Sequence, residues 1–414
     1  MEKLQTAKPV IRFPEFTDHW NNTKLSELLK EAKKRNTDLK YSKDEVLSVS
    51  GEMGIVNQIE HLGRSYAGAS VHNYHVVEVG DIVYTKSPLK ANPYGIIKQN
   101  KKKAGIVSTL YAVYNVKEEN AHGEFIEHYF SLDENTNRYL RPLVKKGAKN
   151  DMKISNAYVL HDKIFVPSVT EQKKITLFLN TLDKKIEQLK EKKKLLEEYK
   201  KGIMQKIFAQ ELRFKDENGN DFTEWKEKKL GEIFSIFNGY AFASEDNVTE
   251  GTLWVKIADV GIQEMKIDNL SFLPYEYSET YKKFILKKGD YVIALTRPIL
   301  SGELKIAAIN DFFNNSLLNQ RVGKIVSENN TTFVYYMLQL SWLIKAIENN
   351  IAGTDPPNLS PKEIDFIKIS IPQKKEQEKI AVFLATIDDK ISRTQGQIEN
   401  TQAYKKGLLQ KMFV

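Results

Sequence analysis

Apolar residues recur at alternating four- and three-residue steps in two stretches of this chain. In the first they fall at Ile175, Leu179, Leu182, Ile186 and Leu189, then at Leu196, Ile203 and Ile207. In the second they fall at Ile380, Leu384, Ile387, Ile391, Ile398, Leu408 and Met412. This spacing predicts two long helices with coiled-coil seams, over 167–208 and 372–414. Aligned without a gap at an offset of 205 residues, Pro167–Phe208 and Pro372–Phe413 are identical at 18 of 42 positions. The chain therefore reads as two half-units in tandem. Each is a globular segment, 1–166 or 209–371, followed by a long helix.

The seams are unlike. Lys193 breaks the first where the second has Ile398, and Thr394 and Thr401 break the second where the first has Leu189 and Leu196. Unlike seams favour pairing with each other over self-pairing. A globular segment between two helices must start near the end of one and finish near the start of the next, which predicts an antiparallel pair with pseudo-twofold symmetry. About 38 residues at ~1.5 Å each make a rod of ~57 Å. A plain dimerisation coiled coil is the alternative reading.

Both helices open with Pro and then Glu-Gln: Pro167, Glu171 and Gln172; Pro372, Glu376 and Gln377. Pro and an early Glu suit a helix start. Both end in Tyr-Lys-Lys-Gly, at Tyr199–Gly202 and Tyr404–Gly407. A helix-interior glycine costs about 1 kcal/mol relative to alanine. Two at matched positions predict close backbone approach at a helix crossing, or else fraying of the last turns.

The repeat continues weakly into the globular segments. Trp20, Lys24, Leu25 and Glu27 match Trp225, Lys229, Leu230 and Glu232, and residues 154–167 align with 359–372. Between these ends the segments differ. Strands are expected at Val46–Val49, Val76–Val79, Asp81–Thr85 and Ile106–Tyr114, and at Leu253–Ile257, Tyr291–Thr296 and Lys305–Ile309. Gly/Asn/Pro-rich loops separate them. The fold class is α+β: two tandem mixed α/β domains, each followed by a long helix.

Composition narrows the function. The chain has no cysteine, which excludes disulfides and thiolate metal sites and suits a cytoplasmic location. The N-terminus lacks the apolar core of a secretory signal, and no apolar run approaches the ~18 residues of a membrane span. The net charge of +8 lies wholly in the helical stretches, with +5 over 171–208 and +3 over 372–413. Charge alone therefore does not make this a nucleic-acid-binding protein, since a basic helix is commonly a solvated face.

Candidate base or phosphate contacts are cations, amides and one tyrosine near strand ends and loops. Lys86 follows a strand led by Gly80-Asp81, and Arg297 one led by Gly289-Asp290, as if at the same strand end. Arg64, Tyr66, Lys98, Lys102 and Lys149 are further candidates in the first segment, as are Lys305, Asn319, Gln320 and Arg321 in the second. Each also has a plain reading as surface. Asp355-Pro356-Pro357-Asn358 resembles an amino-methyltransferase loop without its stacking aromatic, and with Asn92-Pro93-Tyr94 it is read as a turn. There is no GxxxxGK[ST] phosphate loop. His72 and His75 have no third ligand, so no metal site is expected. No catalytic constellation emerges.

The doubled helix with P-x3-EQ at its start and YKKG near its end resembles the specificity subunit of type I restriction-modification systems. So do VLSVSGEMGIVNQ (46–58), GDIVYTKSP (80–88) and NNSLLNQRVGKI (314–325). The resemblance implies that 1–166 and 209–371 are target recognition domains, each reading half of a bipartite site in double-stranded DNA. The spacer helices 167–208 and 372–414 would set the gap between halves. They would pair and dock partners through Glu171, Gln172, Ile175, Leu179, Leu182 and Ile186, and through Glu376, Gln377, Ile380, Leu384, Ile387 and Ile391. The implied partners are two modification subunits and the restriction subunits. S-adenosylmethionine, ATP and Mg are expected on those partners and no cofactor on this chain, which is expected not to be an enzyme. A stand-alone methyltransferase or nuclease, and a protein-binding coiled-coil adaptor, are the competing readings.

Overall fold

The computed structural model describes residues 6–68, 70–88, 91–146, 152–351 and 356–414. Two helices dominate it, Val169–Phe208 and Lys374–Met412. The chain divides into two compact units, and the divisions fall inside these helices. Unit 1 is Met1–Lys190 with Gln395–Val414, and unit 2 is Glu191–Thr394. Each helix thus contributes to two cores.

In unit 1 the start of the first long helix meets the end of the second. Ile175 and Leu179 share a core with Leu408, Leu409, Met412 and Phe413. The Phe413 ring also lies against Trp20, Phe125 and Tyr129. In unit 2 Met204 and Ile207 share a core with Ile380, Leu384 and Ile387. The helices are therefore antiparallel within each unit, as the placing of a globular segment between them predicts.

An ion pair fixes the register in each unit. Lys405 Nζ donates to Asp183 in unit 1, and Lys200 Nζ lies 2.7 Å from Asp388 Oδ1 in unit 2. Lys200 and Lys405, like Asp183 and Asp388, are the same positions of the repeat, so the first lysine of YKKG is a register lock. Gly202 and Gly407 do not mark a close approach. A Cβ added at either would meet no other described atom within 4 Å, and both helices continue past them. Gly202→Ala and Gly407→Ala are each expected to stabilise the protein by about 0.5–1 kcal/mol. A raised unfolding midpoint checks this.

The ends of each globular segment pair as an antiparallel ribbon. Trp20–Lys24 lies along Lys163–Val166, and Lys226–Lys229 along Lys368–Ile371. The matched ends of the two segments are thus the two halves of one ribbon. Inside each ribbon stands a four-stranded antiparallel sheet of one plan. In unit 1 the order is Leu29–Glu31, Tyr111–Val116, Ile82–Thr85, Ile96–Gln99. In unit 2 it is Ser235–Asn238, Val322–Val326, Tyr291–Ala294, Ile306–Ala308. The continuous strand expected at Ile106–Tyr114 is two, Gly105–Val107 and Tyr111–Val116. A turn at Ser108 divides them, its carbonyl accepting from Tyr111 N–H.

A polar cluster ties the helix Gly123–Ser131 to the first long helix. His128, on helix Gly123–Ser131, has Nε2 3.0 Å from Asn180 Oδ1. The Asn180 amide donates to Glu124, so its oxygen accepts the Nε2–H proton of a neutral imidazole. Burial, then the nearby Lys405, pushes His128 down to about 4 from 6.5, with Lys101 acting the same way and Asn180 and Asp183 opposing. A histidine depressed in the folded state binds fewer protons there than when unfolded. Its contribution is complete above pH 6.5 and is lost as pH falls toward 4. The midpoint for unfolding unit 1 is expected to drop across that window, and less in His128→Gln. A pH series of thermal melts measures it.

Candidate nucleic-acid interface

In unit 2 backbone hydrogen bonds gather exposed polar side chains at one end of the sheet. Gly239 turns the chain after Ser235–Asn238 so tightly that a Cβ there would lie 2.2 Å from the Leu318 carbonyl oxygen. Only glycine permits this approach. It puts Tyr240 beside the next loop, where Tyr240 N–H donates to Leu318 O and Gln320 N–H to Tyr240 O. Across the sheet Leu295 N–H donates to Arg321 O, and Arg297 N–H to Pro357 O at 2.8 Å. Arg297 has φ 48°, a left-handed conformation held by that bond and by Thr296 Oγ1 donating to Asn358. Arg297, Gln320, Arg321 and Tyr240 are exposed on this edge. Guanidinium and carboxamide groups match guanine and adenine edges, while the Tyr240 ring packs against Phe242, Tyr281 and Phe284.

Two sequence candidates in unit 2 are committed elsewhere. The Asn319 side chain is buried and accepts from Arg321 N–H, so it shapes the turn that presents Gln320 and Arg321. Lys305 donates to the Ile257 carbonyl at 2.8 Å, and burial, then Lys266, lowers its pKa. Tyr240 was absent from the sequence candidates. The signal for it was the Asn238-Gly239 turn between two apolar runs.

In unit 1 the parallel drawn between Lys86 and Arg297 fails. Gly80 and Gly289 hold the same left-handed turn, with φ 97° and 89°, and donate to Asn100 O and Ile309 O. Counting from these turns, Lys86 corresponds to buried Leu295, two residues short of Arg297. Lys86 is accordingly half-buried. Its Nζ donates to Asn156 Oδ1 at 2.6 Å, Asn156 donates to Glu31, and burial lowers the lysine's pKa against the pull of Glu31. Lys98 is also largely enclosed, with burial lowering its pKa and Glu127 opposing.

Arg64 and Tyr66 are exposed, the guanidinium lying 4.7 Å from the ring centroid. They follow the short helix Gln58–Leu62, closed by left-handed Gly63, and Tyr66 N–H is held by Gln58. Lys102 is exposed on a neighbouring loop, joined to that helix by the pair of Lys103 with Glu60. Lys149 and Asp355 lie outside the described residues. Among the described residues no cluster of His, Cys, Asp and Glu could hold a metal ion, and no helix is long and apolar enough to cross a membrane.

The Glu-Gln pairs at the helix starts do something the helix-start reading did not contain. Glu171 accepts from Arg12 Nε and Nη2, both at 2.7 Å, and from Trp20 Nε1 at 3.3 Å. Glu376 accepts from Arg213 Nε and Nη2 at 3.2 and 2.9 Å, and from Trp225 Nε1 at 3.2 Å. Gln172 accepts from His122 N–H and donates to the Asn120 and Pro167 carbonyls. Gln377 accepts from Asn330 N–H and donates to Asn329 and the Pro372 carbonyl. All four side chains are buried, and each clamps a globular segment onto the helix start in its own unit. Ile175, Leu179, Ile186, Ile380, Leu384 and Ile387 are buried in the seams, and Leu182 and Ile391 half-buried.

Residues 223–401 match the model of the type I restriction modification DNA specificity domain. The chain is 31% identical over 255 residues to the specificity subunit of the type I restriction enzyme MjaVIII of Methanocaldococcus jannaschii, covering 60% of each chain. To the EcoAI specificity subunit of Escherichia coli it is 29% identical over 159 residues, 38% of this chain and 27% of that one. The matches thus span under two thirds of these relatives. The fold aligns with the crystal structure of the type I restriction-modification S subunit from M. genitalium at a TM-score of 0.59 and 16% identity, over 99% of both chains.

Proposed function

We propose that this chain is a specificity subunit of a type I restriction-modification system, that it reads a bipartite DNA site with its two globular segments, and that it spaces the halves with its long helices. The observation that carries this is the repeated sheet. One strand order occurs in both units, while the exposed edge of unit 2 presents Tyr240, Arg297, Gln320 and Arg321 and unit 1 presents Arg64, Tyr66 and Lys102. A shared frame with different side chains suits two readings of different sequence. Two modification subunits, which supply S-adenosylmethionine and adenine methylation, and the ATP-driven restriction subunits would act with it. This chain would position them and transform nothing itself.

The test is a genome-wide map of N6-methyladenine in a methylation-free host expressing the chain with its cognate modification subunit. A split motif with a fixed gap is expected, and replacing 1–166 by the equivalent segment of a relative should change one half only. Absence of new methylation from a copurifying pair would favour an adaptor. Methylation or cleavage by the chain alone would make it an enzyme. Arg297→Ala and Arg321→Ala are expected to weaken binding by about 1–3 kcal/mol each where the guanidinium reads a base, relaxing one position of the half-site assigned to 209–371. Binding assays across single-base variants of the site measure this.

A further inference from the structure

In unit 2 a single turn before strand Val322–Val326 presents Gln320 and Arg321. Asn319 Oδ1 accepts from Arg321 N–H at 3.0 Å, and the Asn319 carbonyl accepts from Val322 N–H at 2.9 Å. Unit 1 has the same turn before Tyr111–Val116. Ser108 Oγ accepts from Leu110 N–H at 3.4 Å, and the Ser108 carbonyl accepts from Tyr111 N–H at 3.0 Å. Asparagine and serine both close such a turn through the side-chain oxygen. The strand register agrees with the match. Tyr111 pairs with Thr85 as Val322 pairs with Ala294, each the last residue of its central strand. Just upstream, Ile106 has Val46 as a parallel and Val76 as an antiparallel neighbour, as Leu317 has Trp254 and Ile285. Thr109 and Leu110 therefore stand in unit 1 where Gln320 and Arg321 stand in unit 2.

Both residues are exposed, Leu110 by 65%. Arg35 is a third member of the set. The 205-residue offset matches it to Tyr240, and the pairs Glu31–Tyr114 and Ile236–Ile325 keep that count. Arg35 bridges His75, and His75 pairs with Val107 in the strand that leads into the Ser108 turn. The exposed Arg35 donates from Nη1 to the Asn73 carbonyl at 2.9 Å, which steadies the guanidinium and uses one nitrogen of its fork. We infer that Arg35, Thr109 and Leu110 read bases in the half-site assigned to 1–166, an assignment that rests on the DNA-reading role proposed above. The guanidinium suits a guanine edge, and an apolar side chain suits the methyl group of thymine. Leu110 thus takes a thymine where Arg321 takes a guanine. Lys102 stands at the other end of this sheet. It follows Asn100, whose carbonyl accepts from Gly80 N–H at the start of Ile82–Thr85. Its chemistry fits a phosphate contact.

The test maps N6-methyladenine for the full-length chain expressed with its cognate modification subunit, wild type against single variants. Leu110→Arg should change the base preferred at one position of the half-site assigned to 1–166. Methylation of wild-type sites should fall by about tenfold or more, and the other half-site should stay as it is. Leu110→Ala, which adds no charge to the turn, should relax the same position. Arg35→Ala should relax a different position of the same half. Lys102→Ala should lower methylation at every site alike, because a phosphate contact carries no sequence. Variants of Leu110 and Arg35 that keep both wild-type half-sites overturn this assignment and leave the proposed function standing. So does a loss spread evenly over all sites in both Leu110 variants, or a base-selective change in Lys102→Ala. A wild-type chain that yields no split motif overturns the proposed function, and the assignment with it.

Discussion

Inserting one heptad into each long helix, after Lys190 and after Gln395, is expected to lengthen the gap in the DNA site by about three base pairs and leave both half-sites unchanged. Seven residues at ~1.5 Å add about 10 Å of helix, and a base pair rises ~3.4 Å. A seven-residue insert preserves the seam, since the repeat of apolar positions is itself seven. Both points lie between Asp183 and Lys200 on the first helix and between Asp388 and Lys405 on the second, so each unit keeps its own ion pair. The clamps at Glu171 and Glu376 are untouched. The methylation map reads the result directly. An unchanged gap would sink the proposal that the helices set the spacing, and altered half-sites would show that the insert disturbs the recognition edges.

Glu376→Ala should destabilise unit 2 by about 1.5–3 kcal/mol, and Glu171→Ala should do the same to unit 1, because each removes the charged acceptor of a half-buried arginine. Glu376 is 0% exposed, and its loss also strips the Trp225 indole N–H of an acceptor. The carboxylate bond is what chiefly raises the Arg213 pKa, with burial opposing. Glu376→Gln keeps an acceptor and should cost less than alanine. Trp225, Trp254 and Trp342 lie in unit 2 and Trp20 alone in unit 1. Denaturant titration followed by tryptophan fluorescence should therefore show the main transition moving to lower urea in Glu376→Ala. A shift below 1 kcal/mol would mean that the clamp contributes little and that the seam alone holds the segment in place.

The two clamps also mark where sequence reading stopped. Glu171 and Gln172 were visible as a repeated motif, and a helix-start role accounted for them. Apart from the Pro167 carbonyl, their partners are Arg12, Trp20, Asn120 and His122, all 50 or more residues away in the chain. No local pattern announces such a bond. Lys200 and Lys405 stood in plain view in YKKG, and only the antiparallel register shows each facing an aspartate of the other helix. The candidate DNA contacts divided the same way. Arg297, Gln320 and Arg321 stand on an exposed edge, whereas Lys86, Lys305 and Asn319 are spent within their own unit and Lys98 is half-buried. Residue type alone did not separate these groups; burial decided which are accessible.

By itself the sequence determined the duplication, the length and position of both long helices, their antiparallel seams and the shared ends of the globular segments. These rest on periodicity over three to seven residues and on self-similarity, both written along one stretch of chain. Only the tertiary structure decided that the compact units divide inside the helices, that Lys86 is held by Asn156 while Arg297 is exposed, and that the repeated glycines face open space. Those outcomes depend on which distant backbone passes each side chain. A turn such as Gly80 or Gly289 sets that by the direction in which it sends the strand, and the spacing of neighbouring residues does not record it.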